Sequence, residues 1–137
     1  MWARAAEQVL TEYPGGADSL GIPTWFYGHE PPNMFATRIA KYFANSIRES
    51  VLLACSGGGI IFLPGAAGTV QEIFQDACEN YYASAEAVAP MVLVGRRHWE
   101  EELPVRALLE SLAHGRAMAA KVHVVDSVEE ACALLGP

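Results

Sequence analysis

The residues with the most chemical content stand in one stretch, IIFLPGAAGTVQEIFQ, residues 60–75. An apolar run ends at Pro64, four small residues follow (Gly65, Ala66, Ala67 and Gly68), and a helical pattern begins at about Thr69. A turn of this kind leaves backbone N–H groups uncovered at the positive end of a helix dipole, where an anion approaches without meeting side chains. The chemistry it predicts is phosphate binding by the main chain. It is not a Walker A loop, because no Lys follows Gly68, and it lacks the full GxGxxG. Thr69 and Glu72 also have the T-x-x-E spacing of a capping box, so the segment taken alone reads as well as a capped strand-to-helix turn.

A second set, His29, Glu30 and Asn33 in GHEPPN, follows the carboxyl end of a strand, the edge at which open α/β sheets bind ligands. These three are candidates for recognising a base, with an ordinary polar loop as the alternative. Arg96 and Arg97 follow another strand and read as a solvated turn in preference to phosphate ligands. His98, His114 and His123 fit no motif and read as structural or exposed. Cys55, Cys78 and Cys132 are widely spaced, without a CxxC or a Cys/His cluster, and read as buried free thiols with no metal site. Pyridoxal-phosphate chemistry needs a Schiff-base lysine with supporting partners, and neither Lys41 nor Lys121 has such a setting. No cofactor is expected.

Positioning these groups requires a scaffold of alternating elements. Residues 2–13 read as a helix that PGGAD breaks, and LGIPTWFYG, 20–28, reads as a strand with Trp25, Phe26 and Tyr27 mainly in the core. From Met34 to about Cys55 the pattern predicts one long helix, with Phe35, Ile39, Phe43, Ile47 and Val51 as its apolar stripe. Arg38, Lys41, Asn45 and Arg48 then fall within an arc of roughly 80°, a basic face. IIFLP suits a central parallel strand covered on both faces. Further strands are expected at 90–96 and 121–126 and helices at 69–82 and 103–115. A last helix is capped by Ser127 and Glu130 and ends before Gly136. Four strands alternating with helices indicate an α/β fold with a mostly parallel sheet.

The 137 residues fit one domain, 1–137, and 52% apolar with 18% charged residues is enough apolar material for a core. Nine basic against sixteen acidic residues leave a formal charge of -7, which argues against a surface that coats a nucleic-acid polymer yet allows a local phosphate site. No apolar run approaches the roughly 20 residues that span a bilayer, so no membrane partner and a cytoplasmic location are expected.

PGAAGTVQE, residues 64–72, resembles the PGGxGTxxE signature of the LONELY GUY (LOG) phosphoribohydrolases and related nucleotide 5'-monophosphate nucleosidases, once labelled lysine decarboxylases. The family carries an arginine on the preceding helix, in a segment written MHxRK. The matching position is Arg48 in NSIRES, sixteen residues before Pro64. The resemblance extends from about Leu20 to Cys132. It departs from the family where Ala66 replaces the second glycine and where Glu49 stands in place of the lysine. A GSG-type opening turn and a GGGPGxMEA-type loop have no counterpart, so a Rossmann-like three-layer α/β/α domain without its N-terminal strands is expected.

The resemblance implies that the backbone of Gly65, Ala66, Ala67, Gly68 and Thr69, with the Thr69 hydroxyl, holds a 5'-phosphate. It implies that Glu72 faces the ribose and stabilises or activates what attacks C1', and that Arg48 neutralises the phosphate or stabilises the departing base. A carboxylate at C1' strengthens its interaction as oxocarbenium character develops, which is how such a residue would accelerate loss of the base. The implied activity splits a nucleoside 5'-monophosphate into free base and ribose 5-phosphate, and the implied assembly is a homodimer using the helices at 34–55 and 69–82. The competing readings are a non-catalytic nucleotide or phosphate-ligand carrier and an inactive fragment.

Overall fold

The computed structural model describes residues 2–25 and 33–136 of an α/β chain that forms two compact units, Met1–Ala54 and Cys55–Pro137.

The first unit opens with α1, Trp2–Glu12, and its small sheet is parallel, with β1, Leu20–Gly21, pairing β2, Arg38–Ile39. A bridge between Thr24 and Tyr42 continues the alignment. Helix α2 spans Asn45–Cys55. The helix expected over 34–55 therefore starts eleven residues late, and the reason is on the main chain. Thr37 N–H donates to the Ser19 carbonyl at 2.8 Å, Ala40 N–H to Gly21 at 2.9 Å and Tyr42 N–H to Pro23 at 3.1 Å, so the backbone of 37–42 is committed to the segment 19–25. The Thr37 hydroxyl reinforces this by donating to Asp18 Oδ1 at 3.1 Å.

The basic face expected on that helix is likewise dispersed. Arg38 pairs with Asp18 at 3.6 Å, and Lys41 Nζ sits 4.2 Å from the Trp25 ring centroid. The supposed core stripe is largely exposed at Phe35, Ile39, Phe43 and Ile47. Trp25, expected in the core, is 53% exposed and stacks on Phe43 at 5.3 Å. Phe26 and Tyr27 lie outside the described residues.

The second unit carries β3, Ile60–Phe62, β4, Met91–Val94, and β5, Val122–Val125, all parallel and in the spatial order β3-β4-β5. Between and after them run α3, Ala67–Tyr82, α4, Val105–Ala113, and α5, Val128–Leu135. The central strand of this sheet is β4 and not IIFLP: all four β4 residues are buried, whereas Ile60 and Ile61 are only half-buried. The two-residue period of β4 sends Met91 and Leu93 to a cluster with Ile73, Ala77, Leu109 and Trp99, while Val92 and Val94 meet Val125 and Ala131. Ser127 caps α5 as its spacing predicts, accepting from Glu130 N–H at 3.1 Å.

No helix among the described residues is long and apolar enough to cross a membrane. The three cysteines are free thiols, but all are exposed. Each sits on a helix whose buried face is filled by other residues, such as Ala77 beside Cys78 and Ala131 beside Cys132.

Candidate functional site

Strand β3 delivers the chain through Leu63 and Pro64 to the small-residue turn, and α3 begins at Ala67, two residues before the expected start. Its N-cap is Ala66, whose side chain offers no oxygen, and the first helical bond runs from Val70 N–H to the Ala66 carbonyl at 3.0 Å. Thr69 is thus inside the helix, and the capping box suggested by Thr69 and Glu72 is not formed. The amides of the first turn are left without a side-chain cap, the condition that makes a helix N-terminus attractive to an anion.

Of the small residues here, Gly65 is the one that packing requires. A Cβ on Gly65 would come within 2.7 Å of the Thr69 Cβ, closer than atoms can pack. Gly68 faces open space, with nothing within 4 Å of where its Cβ would be. Ala66 has φ -120°, an ordinary conformation for any residue, so its methyl is accepted without strain. Ala66, Ala67 and Gly68 are exposed, and Gly65 and Thr69 are half-buried.

Glu72 lies in the second turn of α3, three residues beyond Thr69 and four beyond Gly68, on the same side of the helix as both. It is half-buried. One turn further on, Asp76 is 6% exposed, and burial followed by the nearby Glu79 raises its carboxyl to about 7. Its Oδ1 accepts from Asn80 Nδ2 at 3.3 Å, and Asn80 Oδ1 accepts from Ala89 N–H at 2.9 Å, tying the segment after α3 to the helix. The signal that could have flagged Asp76 is its four-residue spacing from Glu72.

Arg48 belongs to the first unit, near the start of α2. Its Nε donates to Asn45 Oδ1 at 2.9 Å and its Nη2 lies 3.6 Å from Glu49 Oε1. Asn45 Nδ2 also donates to Glu49 Oε1. Glu49 is 1% exposed and the Arg48 side chain 15%, so the guanidinium is held in a mostly buried triad. Glu49, which stands where the resembling family has a lysine, is the group the sequence reading undervalued.

No family model matches the chain, and no curated protein matches it significantly.

Of the remaining candidates, His29 and Glu30 lie outside the described residues. Asn33 is a turn former: its Oδ1 accepts from Phe35 N–H at 3.0 Å and its carbonyl from Ala36 N–H at 3.2 Å. Arg96 is a clasp between strands. Nη2 donates to the Val124 carbonyl at 2.7 Å, Nη1 to Glu100 at 2.9 Å, and its own N–H to Asp126 Oδ1 at 2.9 Å. Arg106 also binds Glu100, and these hydrogen bonds, with that from Arg106 the larger, hold the Glu100 carboxyl below its ordinary range.

His98 has a structural role that ties it to the turn. It opens a π-helical turn, His98–Glu102, and its Nε2 reaches the Gly65 carbonyl at 2.9 Å. The turn is anchored by Trp99, fully buried, whose Nε1 donates to the Val94 carbonyl at 2.9 Å. Among the described residues no group of three or more His, Cys, Asp or Glu is placed to hold a metal ion.

Proposed function

We propose that the chain is a nucleoside 5'-monophosphate phosphoribohydrolase of the LOG type, on a Rossmann-like three-layer α/β/α scaffold. The observation that carries this reading is the β3–α3 junction, an N-terminus capped by no side chain, opening on exposed Ala66, Ala67 and Gly68, with Glu72 following on the same side of the helix. The β3–α3 junction also leaves the carboxyl edge of a parallel sheet, where such folds receive ligands.

In this reading the first-turn amides and the Thr69 hydroxyl bind the 5'-phosphate, whose charge complements the helix dipole. The Glu72 carboxylate stabilises the positive charge that develops at C1' and then accepts the proton lost by the attacking water. The C1'–N bond breaks as the water oxygen bonds to C1', the base leaves with the bonding pair, and the proton that water gave up to Glu72 ends on the base, giving free base and ribose 5-phosphate. Arg48 is the permanent cation that the resemblance assigns to the phosphate or the departing base, and within the first unit Glu49 with Asn45 limits its rotamers.

The same reading makes the protein a cytoplasmic homodimer. Three thiols without a disulfide suit a reducing compartment. The apolar surface of α3 and α4, where Phe74, Cys78, Tyr82 and Leu112 line a cavity of about 320 Å³, suits self-association.

Base release from AMP and CMP, followed chromatographically, tests the proposal. Turnover that Glu72→Gln lowers by about 10²–10³-fold supports it. Nucleotide binding without turnover rejects it in favour of a carrier.

A further inference from the structure

We propose that His98 is a positioning residue of the phosphate turn, aiming the Ala66 N–H through its bond to the Gly65 carbonyl. The inference rests on the reading that this turn binds phosphate.

The peptide unit between Gly65 and Ala66 is planar, and in the trans form its C=O and N–H point in opposite directions. A donor fixed 2.9 Å from the Gly65 oxygen therefore fixes the direction of the Ala66 N–H, which points away from His98. Ala66 is the N-cap residue, so this N–H belongs to the set at the helix entrance. His98 is itself well located. Trp99 pins the π-helical turn, and Gly95, at φ +95°, lets β4 leave close to Pro64: a Cβ there would stand 3.2 Å from Pro64 Cγ and 3.8 Å from His98 Cβ.

The protons on His98 follow from its two partners. A carbonyl oxygen only accepts, so Nε2 must donate to Gly65. The other nitrogen, Nδ1, lies 3.0 Å from Glu102 Oε2, and a carboxylate also only accepts. Both bonds are satisfied together when the ring carries two protons. A neutral ring has one proton for two acceptors, so Glu102 competes with the phosphate turn for it.

The charged groups around the ring come from its own turn: Glu102, and Arg97, whose Nε is 3.3 Å from Glu102 Oε1. From the β3–α3 junction the facing group is the Gly65 carbonyl, from the end of β4 it is Gly95, and no further ionisable group among the described residues bonds to His98.

Two variants of the full chain separate the roles. His98→Ala removes the donor, whereas His98→Gln keeps an N–H that reaches the carbonyl but does not titrate. Titration calorimetry with ribose 5-phosphate is expected to show about tenfold weaker binding for His98→Ala, with KM for AMP raised to match and kcat changed by less than about threefold. His98→Gln is expected to restore most of the affinity.

Wild-type affinity in His98→Ala, or affinity in His98→Gln no better than in His98→Ala, overturns the proposal. If His98→Ala does not fold, the comparison of His98→Gln with His98→Leu, which has no donor, decides. Ribose 5-phosphate binding that depends on His98 without base release rejects the hydrolase reading and keeps the role of His98. Absence of phosphate binding in the wild type removes both.

Discussion

The position of a Cβ on Gly65 is 2.7 Å from the Cβ of Thr69, so the turn closes against the first turn of its own helix. Gly65→Ala is expected to cost about 1–3 kcal/mol, since either Thr69 or the turn must shift. Gly68→Ala is expected to do the reverse, because its site is open and a helical Ala is favoured over Gly by up to about 1 kcal/mol. Thermal melts check both. If a phosphate lies against the backbone at Gly68, the same Gly68→Ala protein also binds ribose 5-phosphate more weakly, which calorimetry reads directly.

Asp76 makes stability depend on pH. Its carboxyl titrates near 7 when folded, against about 3.8 when unfolded, so between these values the folded chain holds a proton that the unfolded chain has released. Stability contributed at this site is greatest below pH 4, declines as pH rises to 7 and is level above it. At about 1.4 kcal/mol per pKa unit, the decline is about 4 kcal/mol. Asp76→Asn keeps an acceptor for Asn80 and removes the ionisation. Urea unfolding of both proteins at several pH values should show the stability difference moving in the variant's favour across this window; a constant difference would count against it.

Arg96 is expected to matter for stability and not for ligand. Its bond to the Val124 carbonyl and its ion pairs join the ends of β4 and β5, but the side chain is 44% exposed, so the ion pairs contribute little. Arg96→Ala should lower stability by about 1 kcal/mol while leaving ribose 5-phosphate affinity within twofold. A large loss of affinity would place this guanidinium at the phosphate.

Cys55 and Cys132 are exposed, and Ellman's reagent is expected to modify both in the native state, without denaturant. Protection of either until unfolding would contradict the exposure described for it.

The second unit was legible because its elements are long relative to their periods. MVLV is apolar throughout, as a strand buried on both faces must be, and Ser127 with Glu130 announces α5. The segment 34–44 was misleading for the opposite reason. Phe35, Ile39 and Phe43 have helical spacing, while β2 is two residues long and both are exposed, too little to display a strand period. What decides its conformation is the carbonyls of Ser19, Gly21 and Pro23, about eighteen residues earlier. At the candidate site, the small-residue turn and Glu72 are contiguous in the chain and could be read together. His98 reaches Gly65 across 33 residues, and HWEEE contains no pattern that encodes this.

The order β3-β4-β5 has a kinetic consequence. Parallel neighbours cannot be joined by a tight hairpin, and here each pair is separated by about thirty residues that include a helix. Both ladders share Met91–Leu93, so each must close a long loop onto the same three residues before its hydrogen bonds form. Refolding of this unit is therefore expected to be slower than that of a helical bundle of equal length. Its barrier should respond most to substitutions at Val92 and Leu93, which stand in both ladders at once.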